Sequence, residues 1–348
     1  MHMADSLISP AVGGACWAAT AAGLAWSAKR VKEANDDRQV PMMGVMGAFV
    51  FAAQMINFSI PGTGSSGHLG GALLLTMLLG RHAALLVIAS VLAVQALFFA
   101  DGGLLAFGCN VVNLGFFPAF VAWPLVFKPL ADRATGGPRL WIASVAAAVA
   151  GLQLGSLAVV LETKLSGISE LPFDTFLWLM QPIHLVIGVV EGLATAAVVA
   201  FVARARPEAL LAGTGPAGGP RRWRPVVTGL AAVALLLGGV GAWFASAAPD
   251  GLEWSIAKAS GQEEIEGAES GVHAVAAGIQ RVSAWLPDYS LPVKAGGGGD
   301  AAAAWPAVDA GTSLSGIAGG LAVLAGVGLL ARWLKPRPAQ PGTNTNLT

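Results

Sequence analysis

The composition of the sequence and the pattern of its apolar stretches predict an all-α polytopic membrane protein. It is 55% hydrophobic and only 11% charged, and its mean hydropathy is +0.66. A soluble globular chain carries roughly 25% charged residues. Apolar stretches also recur along the chain, most of them near the length of about 20 residues that a helix needs to cross a bilayer core. We therefore expect a helical bundle of about seven spans, followed by a C-terminal module of about two spans.

The first seven apolar stretches are predicted to form the bundle. They cover residues 10–27, 41–60, 68–80, 83–100, 104–127, 140–161 and 175–203. The third stretch is short for a span. Pro182 is expected to kink the seventh, because proline lacks the N–H group that a helix interior uses.

The rest of the chain is predicted to form a second unit. Two apolar stretches, 225–248 and 314–334, flank a more polar segment. A stretch rich in Gly, Ala and Pro precedes them and is typical of a linker. The predicted division is a transmembrane unit at 1–206, a cytoplasmic linker at 207–223, and a two-span module at 224–340 with an extracytoplasmic loop at 249–313.

The basic residues predict the orientation in the membrane. Cytoplasmic connections of membrane proteins are enriched in Lys and Arg. With the N-terminus outside, most of the 20 basic residues fall on inside connections, and the exceptions are Lys164, Lys258, Arg281 and Lys294. The chain start has no Lys or Arg ahead of its first apolar run, so it does not resemble a cleaved signal peptide. We expect an extracytoplasmic N-terminus and a cytoplasmic C-terminus.

The first two residues, Met1 and His2, form a potential metal chelate. The α-amine of Met1, the backbone nitrogen of His2 once deprotonated, and an imidazole nitrogen of His2 close a five-membered and a six-membered ring with one ion. A second imidazole, from His68 on the same side of the membrane, would complete a square. Four nitrogens in a plane suit Ni(II), Cu(II) or low-spin Co(II) better than Zn(II). The alternative is that His2 is an ordinary residue on a frayed terminus.

Several polar residues are predicted to lie at the same depth as this chelate, where uncharged amides are costly unless they face the protein interior or a wet cavity. They are Gln54, Asn57, Gln95, Asp101, Asn110 and Asn113. One interpretation is a second layer of residues that holds the N-terminal segment and orients the imidazoles. The other is hydrogen bonding between helices, with no metal involved.

Five segments of the chain resemble the CbiM/NikM family, and the resemblance covers roughly residues 1–205. They are 1–10 (MHMADSLISP), 51–58 (FAAQMINF), 64–71 (GSSGHLGG), 100–103 (ADGG) together with Gln95, and 108–113 (GCNVVN). Many family members read Ile-Pro-Asp-Gly where this chain has Met3-Ala-Asp-Ser6, so Asp5 is kept.

The resemblance implies the substrate-binding membrane component of a cobalt or nickel energy-coupling-factor (ECF) transporter in a prokaryotic plasma (inner) membrane. In that family a buried N-terminus binds the metal, which carries over to Met1, His2 and His68. The implied cargo is Co(II) or Ni(II), which feeds cobalamin synthesis or nickel enzymes. The implied partners are a transmembrane coupling (T) subunit and cytoplasmic ATPase subunits.

The segment Pro249-Asp-Gly-Leu-Glu253, between the last two predicted spans, resembles the PDGLE/CbiN-type module. That module is a two-span accessory component with an outside loop. Here it would be fused to the binding component.

His184 and Glu191 are seven residues apart on the seventh predicted span, so they share a helix face. They are candidates for a partner-facing site, because an ionisable residue at membrane depth is often functional. Gly188, Gly192 and Ala196 follow in steps of four. The alternative is a face of small residues that simply packs against a neighbouring helix.

The competing function class is a rhomboid-like intramembrane serine protease, with Ser66 of Gly64-Ser-Ser-Gly67 as nucleophile and His184 as base.

No Gly-x4-Gly-Lys-Ser/Thr motif occurs, so no ATP is expected to bind this chain. The two cysteines, Cys16 and Cys109, have a spacing that fits no thiolate metal site. The 20 basic and 20 acidic residues balance, and no nucleic-acid partner is expected.

Overall fold

The computed structural model describes residues 1–34, 39–131, 137–205, 224–262, 270–291 and 305–334, with Ile265 and Gly267 in addition. These residues are mostly helical. The helices are α1 (Pro10–Ala34), α2 (Gln39–Gln54), α3 (Ala72–Leu79), α4 (Arg81–Phe98), α5 (Phe107–Val111), α6 (Lys128–Ala131), α7 (Gly137–Ser166), α8 (Phe173–Ala205), α9 (Arg224–Gly239), α10 (Gly251–Ser260), α11 (Gly271–Ser283) and α12 (Ala310–Leu334). A wider helix, Val112–Phe127, joins α5 to α6. The predicted linker at 207–223 lies outside the described residues.

The structure supports a multi-pass membrane protein but does not confirm the count of seven spans in the bundle. Across the part of the chain described, five helices are long and apolar enough to cross a membrane: Arg81–Phe98, Phe107–Ala131, Gly137–Ser166, Phe173–Arg204 and Ala310–Leu334. Pro41–Gln54 and Val227–Gly239 are shorter apolar helices. The predicted third span is only α3, whose eight residues rise about 12 Å against a hydrocarbon core of about 30 Å.

A short hairpin interrupts the helices, which the sequence did not predict. Strand β1 (Phe58–Ile60) pairs antiparallel with β2 (Ser65–Gly67), and Gly62 and Gly64 between them have positive φ. The helix of the predicted second span therefore ends at Gln54, and the last three residues of that prediction, Phe58–Ile60, form β1. His68 follows β2 directly and lies in a loop, where its position is set by the hairpin.

Helices α7 and α8 pack along each other, and small residues allow the close approach. A Cβ atom at Gly188 would lie 2.8 Å from the Cα of Val149, and one at Gly192 would meet the backbone of Val145. The ridge of small residues on α8 therefore packs against a helix of the same chain. Pro182 lies inside α8, which is continuous across it.

The C-terminal helices lie against the bundle. Helix α12 packs on α2, on α4 and on α9, and α10 packs on α8. Helix α11 packs on α4, beside the chain start. The loop of the predicted second unit therefore lies over one end of the bundle.

We expect Gly108→Ala to destabilise the protein by about 1–3 kcal/mol, the usual cost of overpacking. A Cβ atom there would collide with the α1 backbone at Cys16 and Trp17. The comparison variant is Gly14→Ala, also on a helix, where no atom of the described residues lies within 4 Å of the added Cβ. Thermal unfolding in detergent should show a lower Tm for Gly108→Ala only. Equal Tm values for the two variants would contradict this account of the α1–α5 packing.

Candidate metal centre

The N-terminal segment lies inside the described fold. Met1 is 4% exposed and Met3 is fully buried. The Met3 N–H donates to Oδ1 of Asn110 at 2.8 Å, and the Asn110 amide donates back to the Met3 carbonyl at 3.2 Å. The N–H of Gly103 donates to the same carbonyl, and that of Ala106 to Oδ1 of Asp5. The backbone of the chain start is thus fixed by hydrogen bonds on both sides.

His68 is positioned by the turn that follows it. The N–H groups of Gly70 and Gly71 donate to the Glu191 carboxylate at 2.8 and 3.0 Å. The Gln54 amide donates to the Gly70 carbonyl, and the Gln95 amide donates to Oε1 of Gln54. Gly71 has φ +79°, a conformation that favours glycine. Three buried side chains from α2, α4 and α8 therefore hold one loop.

The rings of His2 and His68 stack, with centroids 5.0 Å apart and planes 16° from parallel. The Nδ1–H of His68 donates to the carbonyl of Leu69 at 3.2 Å. Burial first, and then the positive charge of the chain terminus, lower the pKa of His68 to about 3, although the Asp250 and Asp101 carboxylates act in the opposite direction. His68 is therefore neutral at neutral pH, with the lone pair on Nε2 free to bind a cation.

His2 is held by Asp101. Its Nδ1 lies 2.8 Å from Oδ1 of Asp101, and its buried Nε2 has no hydrogen-bond partner among the described residues. The Tyr289 hydroxyl donates to the other Asp101 oxygen. Burial alone would raise the pKa of Asp101, but the charge and hydrogen bond of His2 outweigh it and lower the pKa to about 2. Asp101 is thus an anion that fixes the imidazole.

Asp250 meets the chain terminus. The α-ammonium of Met1 donates to Oδ2 of Asp250 at 2.7 Å, and the same oxygen lies 4.0 Å from Nε2 of His68. Burial opposes ionisation of Asp250, but the ammonium and His68 lower its pKa well below the usual range. Sequence reasoning did not place Asp250 at the site. Its spacing to Glu253 signals a helix N-cap, and only the fold shows what its second oxygen contacts.

A small cavity lies among Met1, His68, His184 and Asp250, with room for about one water-sized sphere. The Nδ1–H of His184 donates to the Met180 carbonyl at 2.8 Å, and within the part of the chain that the structure describes its buried Nε2 has no hydrogen-bond partner.

The expectation that His184 and Glu191 face a partner protein is not met. Their exposed fractions are only 1% and 2%, because both side chains point into the chain's own interior. There His184 lines the cavity, and Glu191 holds the loop that carries His68.

The other polar residues named from the sequence differ in their contacts. Asn113 donates to Oε2 of Glu162 at 2.7 Å and approaches Sδ of Met3. Asn57 contributes its backbone carbonyl, which accepts from the N–H of Ser246. Among the described residues, the hydrogen bonds that hold Met1, His2 and His68 do not involve the Asn57 side chain.

Two thiols and a carboxylate also lie close together, although the spacing of these residues along the sequence did not predict it. Donor atoms of Cys16, Cys109 and Glu162, from three different helices, lie within 4.8 Å of one another. They form a second buried polar group behind the N-terminal segment.

Ser66 does not form a catalytic pair with His184 in the structure. Its hydroxyl donates to the carbonyl of Ala248 at 2.7 Å, while His184 bonds to Met180. Ser66 instead joins the hairpin to the segment before α10, and the rhomboid-like alternative has no support.

Comparison with known proteins identifies the family. Residues 2–209 match CbiM, the cobalt uptake substrate-specific transmembrane region, and residues 224–336 match the PDGLE domain. The chain belongs to the CbiM family. The resemblance to CbiM/NikM with a fused C-terminal PDGLE module is thereby confirmed.

Named relatives of this CbiM-family chain are metal transport proteins. The cobalt transport protein CbiM of Geobacter sulfurreducens is 34% identical over 246 residues, covering 66% of this chain and 68% of the relative. The fused nickel transport protein NikMN of Rhodobacter capsulatus is 30% identical, covering 68% and 71%. A crystal structure of a transition metal transporter matches with a TM-score of 0.53 and 29% identity, covering 61% of this chain and 96% of that one.

We expect Asn110→Ala to loosen the chain start, because it leaves the buried N–H of Met3 without an acceptor. An unsatisfied buried group costs about 1–3 kcal/mol. An amine-reactive reagent should therefore label the Met1 amine roughly tenfold or more faster, as measured by mass spectrometry of the N-terminal peptide. Asn57→Ala is the matched control and should label like the unmodified protein. Equal rates in both variants would show that Asn110 does not hold the segment.

Proposed function

We propose that this chain captures Co(II) or Ni(II) at its extracytoplasmic face. The proposed ligands are the Met1 amine, the backbone nitrogen and Nδ1 of His2, and Nε2 of His68. The buried chain terminus beside two stacked imidazoles is the observation that carries this proposal. Relatives named as cobalt and as nickel transport proteins support both cations.

The four nitrogens suit such a cation on chemical grounds. The Met1 amine and the His2 backbone nitrogen close a five-membered ring, and Nδ1 of His2 closes a six-membered ring. The Nε2 atom of His68 is neutral and unprotonated, as a ligand must be. Nitrogen donors in a plane favour Ni(II) and low-spin Co(II), and the two cations share this donor set.

Capture requires a change at His2. The chelate uses Nδ1, which in the structure lies 2.8 Å from Asp101, while no described residue forms a hydrogen bond with Nε2. Rotation of the ring about its Cβ–Cγ bond turns Nδ1 towards the cation. The remaining N–H of the ring is then the donor available to Asp101, as in the carboxylate–histidine pairs that orient metal ligands.

Transport after capture is assigned to partner proteins. We infer that a transmembrane coupling subunit and cytoplasmic ATPase subunits of an ECF-type transporter complete the system, and that this chain itself is neither an enzyme nor an ATP-binding protein. The proposed uses of the cation are cobalamin synthesis or nickel enzymes. The pattern of basic residues supports an outside N-terminus, which puts the centre on the side that cations arrive from.

A variant with one or more residues added before Met1 should lose metal binding by at least about a hundredfold, because the added peptide bond removes the amine from the chelate. His68→Ala should also weaken binding strongly. His82→Ala is the histidine control, since His82 contacts Ser27 and Trp26 far from the centre. Titration of the purified protein with Co(II) and with Ni(II) measures each affinity. Tight binding by the extended chain would remove the basis of the proposal.

Binding should weaken as the pH falls. The cation displaces protons from the Met1 amine and from the His2 peptide nitrogen, so acid favours the empty form. His68 adds nothing to this slope near neutral pH, because a pKa of about 3 leaves it already unprotonated. Apparent Kd values measured at pH 6, 7 and 8 should therefore rise steadily towards pH 6. A Kd that does not change with pH would speak against a deprotonated chelate.

A further inference from the structure

The loop of the C-terminal module contacts the segments that form the metal centre. On α11, Nε2 of His273 lies 2.9 Å from the carbonyl of Ile8, and the Gln280 amide donates to the carbonyl of Gly102 at 2.8 Å. The first contact is to the N-terminal segment that follows His2, and the second is to the residue after Asp101. The loop therefore lies directly over the chain start.

Asp250 is fixed on this loop by its own helix. Its Oδ1 caps α10, accepting from the N–H groups of Leu252 and Glu253 at 2.7 and 2.9 Å. Its Oδ2 is left to accept from the Met1 amine. Because one oxygen caps the helix and the other accepts from the amine, the Asp250 carboxylate has one defined position.

The backbone on either side of Asp250 is also held. The N–H of Ser66 donates to the carbonyl of Pro249 at 2.8 Å, which ties the loop to the hairpin that precedes His68. Gly251 lies so close to α8 that a Cβ atom would be 2.5 Å from Ile183 and 3.3 Å from the His184 ring. Asp250 is thus part of a packed interface.

A second group from the same loop acts on His2. The Tyr289 hydroxyl donates to Asp101, whose other oxygen holds Nδ1 of His2. The Tyr289 ring stacks on Phe99 with centroids 4.7 Å apart and planes 17° from parallel. Burial, and then the charge of Asp101, raise the pKa of Tyr289, so the phenol keeps the proton that it donates.

We propose that the C-terminal module supplies part of the metal centre: Asp250 positions the Met1 amine, and Tyr289 positions His2 through Asp101. This inference rests on the proposed function and adds that the loop of the C-terminal module positions the metal ligands. A coordinated amine keeps two N–H bonds, so Asp250 is able to hold it before and after the cation binds. The Met1 amine, held in place beforehand, loses less freedom on binding. Once the His2 ring has turned, the Asp101 carboxylate fixed by Tyr289 accepts from its remaining N–H, which orients the ligand.

Two conservative variants separate positioning from folding. Asp250→Asn keeps a good helix N-cap but removes the charge that holds the amine. Tyr289→Phe keeps the ring on Phe99 but removes the hydroxyl. Glu253→Gln is the control within the same capping box, since its side-chain oxygen can still accept from the Asp250 N–H. Thermal unfolding of each full-length variant checks that the fold is kept.

Two measurements are then made: labelling of the Met1 amine in the metal-free protein, and titration with Co(II). Asp250→Asn should speed labelling and weaken Co(II) binding, each by about tenfold to a hundredfold, as expected for loss of a hydrogen bond to a charged group. Tyr289→Phe should weaken Co(II) binding severalfold and leave labelling unchanged, because it acts on His2. Glu253→Gln should change neither quantity.

Each result has a defined meaning. Unchanged labelling in Asp250→Asn, or Co(II) binding as tight as in the unmodified protein or tighter, would overturn the positioning role. If the unmodified protein binds neither Co(II) nor Ni(II), yet Asp250→Asn still exposes the amine, the proposed function is at fault and the contact itself stands. The labelling experiment without metal keeps these two failures apart.

Discussion

The structure depends on a charged chain terminus that is buried. A positive charge removed from water is costly unless an opposite charge and hydrogen bonds compensate it. Here Asp250 supplies the opposite charge, and Asn110 satisfies the backbone of Met3 just behind it. Removing either partner would leave an uncompensated polar group inside the fold. This requirement explains why distant parts of the sequence, on either side of position 200, meet at the first residues.

Much of the candidate site was predictable because its chemistry is local in the sequence. Met1 and His2 are adjacent, so covalent geometry alone defines a chelate. Composition and the apolar stretches predicted a helical membrane protein, and the His68 motif indicated the second imidazole. Asp101, Asn110 and Gln95 were singled out because polar groups at membrane depth need partners, and the structure supplies partners for them.

What could not be predicted was geometry that joins separate elements. Asp250 is a helix cap in the sequence, and nothing local shows that its second oxygen contacts Met1. His184 and Glu191 share a helix face, but periodicity does not tell whether that face points inward or to a partner. The thiols of Cys16 and Cys109 lie on different helices, so their spacing carried no information. The predicted third span, 68–80, joins the loop that carries His68 to the eight-residue helix α3, and composition alone does not separate the two.

The meeting of Asp250 with the Met1 amine has a consequence that follows from covalent linkage. Both groups belong to one polypeptide, so their encounter is intramolecular, and tethered partners experience an effective concentration on the order of millimolar. A carboxylate delivered by a separate subunit would meet the amine only as often as that subunit was synthesised and bound. In this chain every copy of the centre carries its own counter-charge, in a fixed one-to-one ratio that dilution in the membrane does not change.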